Sequence, residues 1–378
     1  MVWTHKVSDR PIANPLLIFA LMLFNYLKVA IRNSWKNKMI SFINIFSLAL
    51  GIAACLLIYL FIQDERSFDA FHTKSAQIYR LDEVQSFPGT NTQNVALSMP
   101  GMGPNLQKDY PEIQEFTRYW GRGRSLFYKE NIRHMVEQTA RVDSTFLEIF
   151  DFELLAGDRA TALDNPFSIV ITEDIATLFF GNADPLGESL TMDNQPYKIT
   201  GVLKNVPEHS HLQFNLLCSM STHTSEQPDF NNAFGSNYVV TYLVFDPNTD
   251  LTAFEAKLPD FLLRYMPPEE GSTSKVTDFY KLFLQALPDV HLASMDIEHD
   301  YHNYRKFNGT YLNVFSLVGL FILLIAGFNF MNLITARASH RWKEIGVRKA
   351  VGALKSQLFT QFAVEAVVLG VMAFGLAI

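Results

Sequence analysis

No G-x-x-x-x-G-K-[ST] loop occurs in the 378 residues. The chain therefore lacks the backbone cradle that holds nucleotide phosphates and is not expected to bind ATP itself. H-E-x-x-H, C-x-x-C and G-x-S-x-G are absent too, so no common catalytic signature is present. Cysteine is scarce: Cys55 lies inside a long apolar run and Cys218 in a polar region, so the two are not expected to pair. The polar region must then hold together by its core, without disulfides. Charge is missing from two long stretches, 42–62 (FINIFSLALGIAACLLIYLFI, 21 residues) and 314–333 (VFSLVGLFILLIAGFNFMNL, 20 residues).

Each uncharged stretch, as a helix, covers about 30 Å, the hydrocarbon thickness of a bilayer, whereas buried helices of soluble proteins seldom carry such long apolar runs. Both are read as membrane spans. A third run, 359–378, carries Gln361 and Glu365 near its start and is apolar from Ala366 on. It is read as a third span that is cut short, in a chain that is a fragment of a longer protein. The mean hydropathy of +0.07 and the pI of 5.8 average over two environments and decide little. The distribution of charge decides more. Residues 63–313 hold 19 Lys+Arg and 35 Asp+Glu, a net of −16, leaving 12 basic and 3 acidic residues for the rest. Lys28, Arg32, Lys36 and Lys38 precede the first span, and Arg337, Arg341, Lys343, Arg348, Lys349 and Lys355 lie between the second and third. By the positive-inside rule both basic groups face the cytoplasm and the acidic segment is translocated. Nucleic-acid binding is not expected, because the basic residues lie beside the spans.

Residues 15–24 (PLLIFALMLF) are apolar but too short to span, and no small-residue cleavage site follows them. Met22 opens the stretch MLFNYLKVAIRNSWKNK, so residues 1–21 are read as an upstream extension. Over residues 24–39, Lys28, Arg32 and Lys36 line one helical face, and Phe24, Leu27, Ile31 and Trp35 another. Such a helix is expected to lie along the inner membrane surface, with Lys28, Arg32, Trp35, Lys36 and Lys38 against the lipid headgroups. In the first span Ser47, Gly51 and Cys55 follow small-xxx-small spacing, and the second carries Gly319, Ala326 and Gly327. The two spans could pack closely through them, although small residues are common in membrane helices. Asn329 and Asn332 would either join helices or sit solvated near the cytoplasmic interface.

The segment between the first two spans mixes strand and helix signals. Residues 168–172 (SIVIT), 197–203 (YKITGVL) and 238–245 (YVVTYLVF) read as strands. Residues 99–110, 143–150, 174–180 and 251–265 read as helices, with turns at 87–90, 182–185 and 246–248. The expectation is an α+β domain, divided into lobes over about 81–203 and from there to about 286. His209-Ser-His211 and His299-x-x-His302 could supply metal ligands, but no third His or Cys stands at a fitting distance. Surface or capping roles are expected, and no metal site.

After the second span, Arg341, Lys343, Arg348 and Lys349 interleave with Ile345, Val347, Leu354 and Leu358, and Gly346 and Gly352 are expected to break the stretch into short pieces. On these features alone it is a solvated basic loop or a small rigid surface for a cytoplasmic partner. The full stretch RWKEIGVRKAVGALKSQLFTQFAVEAV, however, resembles the hallmark of FtsX/MacB-like permeases of ABC transporters. NYLKVAIRNSWKNKMISFINIFSLALGIAA and DERSFDAFHTKSAQIYRL are similar to the start of the same permeases. VDSTFLEIFDFELLAGD, FFGNADPLGESL and ITGVLKNVPEHSHLQFN are similar to their periplasmic core domain. The resemblance runs from about Met22 to the C-terminus, and it favours a structural role for His211.

That resemblance implies four membrane helices per unit with the periplasmic domain between the first two. Only three are present here, the last incomplete, and no ATPase domain precedes them. It implies a non-catalytic permease of the mechanotransmission type, in the bacterial inner membrane, with ATP and Mg²⁺ handled by a separate ABC ATPase subunit. Arg341, Lys343, Glu344, Ile345, Gly346, Val347, Arg348, Lys349 and Gly352 would form the ATPase-coupling segment, with Ile345 and Val347 as an apolar knob and the cations as its rim. Lipids and a second permease copy or half are the other partners implied, and export or extracytoplasmic release of a substrate the outcome. The expected organisation is extension 1–21, cytoplasmic helix 22–41, span 42–62, extracytoplasmic domain 63–313, span 314–333, coupling segment 334–358 and span 359–378. A sensory receptor with an external ligand-binding domain is the rival class, disfavoured by the third apolar run. A regulator of a cell-wall hydrolase is a rival within the same fold.

Overall fold

A computed structural model describes residues 15–36, 38–268, 270–271, 273–339 and 342–378, with 15–23, 337–339 and 344 as backbone only. Two helices open the chain, α1 (Pro15–Lys36) and α2 (Lys38–Arg66). The inserted region runs β1 (Ile78–Gln85), β2 (Gln93–Val95), α3 (Met102–Asp109), β3 (Ile113–Lys129), β4 (Ile132–Val142), α4 (Phe146–Ile149), β5 (Leu154–Gly157), β6 (Ser168–Thr172), α5 (Glu173–Phe180), β7 (Ser189–Met192) and β8 (Gln195–Leu203). It continues through β9 (Leu216–Ser219), α6 (Met220–Glu226), β10 (Val240–Phe245), α7 (Leu251–Glu255), α8 (Leu258–Tyr265), β11 (Tyr280–Ala286), α9 (Leu287–Val290) and β12 (Ile297–Glu298). Helices α10 (Thr310–Ser339), α11 (Trp342–Ala350) and α12 (Lys355–Ala377) follow. The α+β fold class expected from sequence is the one observed. Gln63–Thr310 is one compact unit and the helices flanking it are another.

Among the described residues, three helices are long and apolar enough to cross a membrane: Lys38–Arg66, Thr310–Ala336 and Lys355–Ala377. Their outward side chains, among them Leu50, Leu57, Leu60, Leu320, Phe321 and Val371, are exposed and apolar, as lipid-facing surfaces must be. Residues 1–14 of the expected upstream extension lie outside the described residues. From Pro15 onward the short apolar stretch belongs to α1, continuous with the amphipathic segment.

The inserted unit is built on a 12-stranded sheet of order β12-β2-β1-β10-β3-β4-β9-β6-β8-β5, with β11 pairing β1 and β7 pairing β3 and β8. All five residues of β6 and all six of β10 are buried, which explains why both read as continuous apolar runs without alternation. The sequence reading missed the longest hairpin, β3–β4, because Arg118, Arg122, Arg124 and the glycines at 121 and 123 interrupt its apolar pattern. Register shifts at Gly121 to Gly123 and Gly123 to Ser125 show these residues to be bulges within a strand, not its end. The expected lobes are also corrected. One core joins Leu81, Met102 and Leu106 to Leu243, Phe254 and Phe261, and another is built from Phe127, Ile169, Leu190 and Leu216. Because β1 pairs with β10 and β11, residues 81–113 pack with 243–282, and the middle of the sequence forms its own core. Phe146, Phe150, Phe152, Phe214 and Tyr242 pack ring against ring in a third.

Candidate functional site

The segment following α10 is one helix. α11 runs from Trp342 to Ala350 straight through Gly346, so the expected break at that glycine does not occur. An interior glycine lowers helix stability by ~1 kcal/mol but does not forbid the fold. Gly352 does stop the helix. At φ +99° it takes a conformation that other residues rarely adopt. Its N–H donates to Lys349 O at 3.1 Å, and the Ala353 N–H to Arg348 O at 3.0 Å. That pair of bonds is a Schellman cap. Gln357 Oε1 then accepts from the Leu354 N–H as α12 begins.

One continuous helix changes which residues share a face. Ile345 and Arg348, three apart, share one face of α11 and are half-buried. Arg348 Nη1 donates to Gln361 Oε1 of α12 at 2.8 Å. Arg348 is thus a tether and not part of a charged rim, and Gln361, which interrupts the third apolar run, is its acceptor. Ile345 and Val347, two apart, point in different directions and cannot form one knob. The exposed large apolar residues of this segment include Val347, Trp342, Val351 and Leu354, at 65, 74, 83 and 63 % exposure. Lys343, Gly346 and Lys349 are exposed beside them. Arg341 and the side chain of Glu344 lie outside the described residues. Trp342 and Val351 were not among the expected site residues. The tryptophan next to Lys343 was the available signal.

On α1 the cations Lys28, Arg32 and Lys36 are exposed, as is Lys38 at the start of α2. Trp35 and Phe24 are exposed at 78 and 64 %. A third stripe, Ala30 and Ser34, is buried, and α1 packs against α12. Ser34 turns its hydroxyl onto Ala30 O at 3.0 Å, so its polarity is spent within α1.

Helices α2 and α10 meet along the small-residue stripe. A Cβ at Gly51 would stand 2.5 Å from Ala326 Cβ, so only glycine allows this approach. Cys55 Sγ–H donates to Gly319 O at 3.1 Å, Asn329 Nδ2 donates to Ser47 Oγ at 3.2 Å, and Phe61 meets Phe315 edge-on at 5.5 Å. The packing reading of Ser47, Gly51, Cys55 and Asn329 therefore holds, while Asn332 is exposed.

At the end of α2, inside the inserted unit, acids meet histidines. Glu65 Oε2 lies 2.7 Å from His291 Nε2, and Asp64 Oδ1 lies 2.9 Å from His209 Nε2. The Phe68 ring stacks on His291 at 3.5 Å. The Phe307 and Gly309 N–H groups donate to His291 O and Leu292 O, so the segment leading into α10 is fastened at the same place. Behind it, His211 is buried between Asp69, at 2.8 Å from Nδ1, and Tyr242, at 2.6 Å from Nε2. Burial opposes the Asp69 carboxylate, but His211 and His72 outweigh it and its pKa is lowered. Burial, reinforced by His211 and opposed by Asp69, pushes His72 down to about 4, and its Nδ1 accepts from the Asp151 N–H. His209 and His211 are thus held by different acids, and no group of three metal-ligating side chains occurs among the described residues.

An α+β unit inserted between two tightly seamed apolar helices, followed by a capped surface helix and a third apolar helix, defines a class of polytopic membrane protein. Residues 41–261 match the MacB-like periplasmic core domain and residues 316–378 the FtsX-like permease C-terminal region. The chain belongs to this MacB/FtsX-like family of ABC-transporter permeases. It is 24 % identical over 204 residues to the macrolide export ATP-binding/permease protein MacB of Neisseria meningitidis, covering 54 % of this chain and 28 % of that protein. It is 21 % identical over 394 residues to the uncharacterized ABC transporter permease YvrN of Bacillus subtilis, covering 94 % of this chain and 87 % of that one. The crystal structure of the periplasmic region of MacB from Actinobacillus actinomycetemcomitans aligns at TM-score 0.41 and 13 % identity, over 59 % of this chain and 95 % of that one.

Proposed function

We propose that the chain is the non-catalytic permease subunit of an ABC transporter of the mechanotransmission type, in a bacterial inner membrane, with ATP and Mg²⁺ handled by a partner ATPase. In this reading residues 63–313 lie outside the cytoplasm, 42–62, 314–333 and 359–378 span the bilayer, and 22–41 and 334–358 face the cytoplasm. The observation that carries it is α11, a surface helix that presents Trp342 and Val347 outward while Arg348 fastens it to α12. Docked in a cleft of the ATPase, such a helix passes movement to α12 through the Arg348–Gln361 bond. Helices α2 and α10, locked at Gly51, move as a pair and pull on the inserted unit where Glu65 and His291 meet. That unit acts on a substrate for export or extracytoplasmic release. No charged residue lies within 42–62 or 314–333, so no polar path between these two spans is required.

Buried apolar anchors usually carry affinity at such contacts, and rim charges mainly the approach rate. Val347→Asp, in the protein reconstituted with its cognate ATPase, should weaken ATPase binding about tenfold or more and abolish transport. Lys343→Ala should change binding by less than about fivefold, since an exposed charge contributes ~0–1 kcal/mol. Membrane insertion should survive both changes. Wild-type binding and transport by Val347→Asp would refute the assignment.

A further inference from the structure

An open cleft of about 380 Å³ lies in the inserted unit, between the bulged part of the β3–β4 hairpin and residues 301–304. Its volume falls in the range of small-molecule sites, and bulges of this kind often re-aim side chains beside such sites. The bulge shapes one wall: Gly123 stands at φ +69° and Gln138 at φ +54°. Gly121 is required by the opposite wall, because a Cβ there would lie 2.0 Å from His302 Cε1. Three tyrosines face the cleft. Tyr119 forms its buried floor, with His302 edge-on at 5.1 Å, while Tyr301 and Tyr304 stand 70 and 41 % exposed at its mouth. The 301–304 wall is firmly held, with the Tyr304 N–H donating to His211 O at 2.8 Å and Asn303 Nδ2 to Val290 O at 2.7 Å.

Glu137 is the one formally charged residue among the described residues that line the cleft, and Arg122 and Arg124 flank Gly123 in the same strand. Glu137 lines it, is exposed, and has no cation paired with it among the described residues. No Lys or Arg is among the described residues that line it. Burial, with Asp300 opposing, lowers the pKa of His302. The surrounding 63–313 segment carries a net charge of −16, so it concentrates cations near its surface. Aromatic faces and an unpaired carboxylate together recognise an ammonium group on a small apolar body.

We propose that this cleft is a binding site for organic cations, with Glu137 countering the charge and Tyr301, Tyr304 and Tyr119 receiving the ammonium and its apolar substituents. The site is independent of the coupling function, since it needs neither α11 nor an ATPase.

The test uses the full chain in nanodiscs of zwitterionic lipid at low ionic strength, titrated with benzyltrimethylammonium by calorimetry. Benzyl alcohol and benzoate are the neutral and anionic comparisons. Saturable binding of the cation alone is expected. Glu137→Gln and Tyr301→Ala should each weaken it about fivefold, and Tyr301→Phe should bind as wild type. Both positions are exposed, so the variants should melt with the wild type. Absence of saturable binding up to about 10 mM, equal binding of benzyl alcohol or benzoate, or undiminished binding by both Glu137→Gln and Tyr301→Ala would overturn the proposal. Selectivity in the wild-type protein decides the matter even if a variant fails to fold.

Discussion

Glu83 is fully buried on β1, with Oε2 accepting from Gln85 and Asn237 while Oε1 has no partner among the described residues. Burial, only partly opposed by those two donors, pushes its pKa up to about 7. Its folded pKa exceeds the ordinary value, so its contribution to stability is fully present at low pH and is lost as pH rises through about 7. Burial raises the neighbouring Asp82 to about 6, with Arg80 opposing, and gives a contribution of the same sign. Glu83→Gln should therefore raise the melting midpoint of the inserted unit at pH 8, relieving a penalty of ~1–3 kcal/mol, and change it little at about pH 4, below the ordinary glutamate pKa. A variant that melts below wild type at pH 8 would show that Glu83 is held as a favourable carboxylate instead. None of this was legible in the sequence, where Glu83 is one of 35 acids in an acidic segment. Its burial depends on pairing with Val95 and Leu282, and on Asn237, all distant along the chain. The structural role expected for His211 was legible, but its partners Asp69 and Tyr242 come from two other segments.

Among the elements, the α2–α10 seam is the one the sequence describes best, because small-residue spacing is a local pattern that a close helix contact requires. Gly51→Ala should destabilise the helix pair by ~1–3 kcal/mol, and Ala326→Gly in the same chain should restore it by vacating the space the new methyl needs. Thermal unfolding of the two variants in detergent checks this. Equal melting of wild type and Gly51→Ala would place the seam elsewhere. α11 was less legible. Its sequence marks it as special, but two glycines look alike there, and only Gly352 takes a positive φ. Once Gly346 is inside the helix, the faces rotate: Ile345 is half-buried, Val347 exposed, and Arg348 finds Gln361. The β3–β4 hairpin was illegible because its bulges break the alternation by which strands are recognised.

At the scale of the whole molecule, charge separates what the fold separates. The acidic segment coincides closely with the inserted unit, Gln63–Thr310, and most of the remaining cations flank the apolar helices. Asp250→Cys should accordingly react with an impermeant thiol reagent in cells whose cytoplasmic membrane is intact. Asp250 caps α7 through the Ala253 N–H, so the change should weaken that cap without unfolding the unit. Protection until that membrane is opened would reverse the topology. The central claim is that α11 hands the work of ATP hydrolysis to the membrane helices through its exposed face. A photo-crosslinking residue placed singly at Trp342, Ile345 and Val347, in the protein assembled with its cognate ATPase, tests it most directly. Strong crosslinks to the ATPase from 342 and 347, and little from the half-buried 345, are the predicted result. Crosslinks from 345 as strong as those from 347, or none from 347, would contradict it.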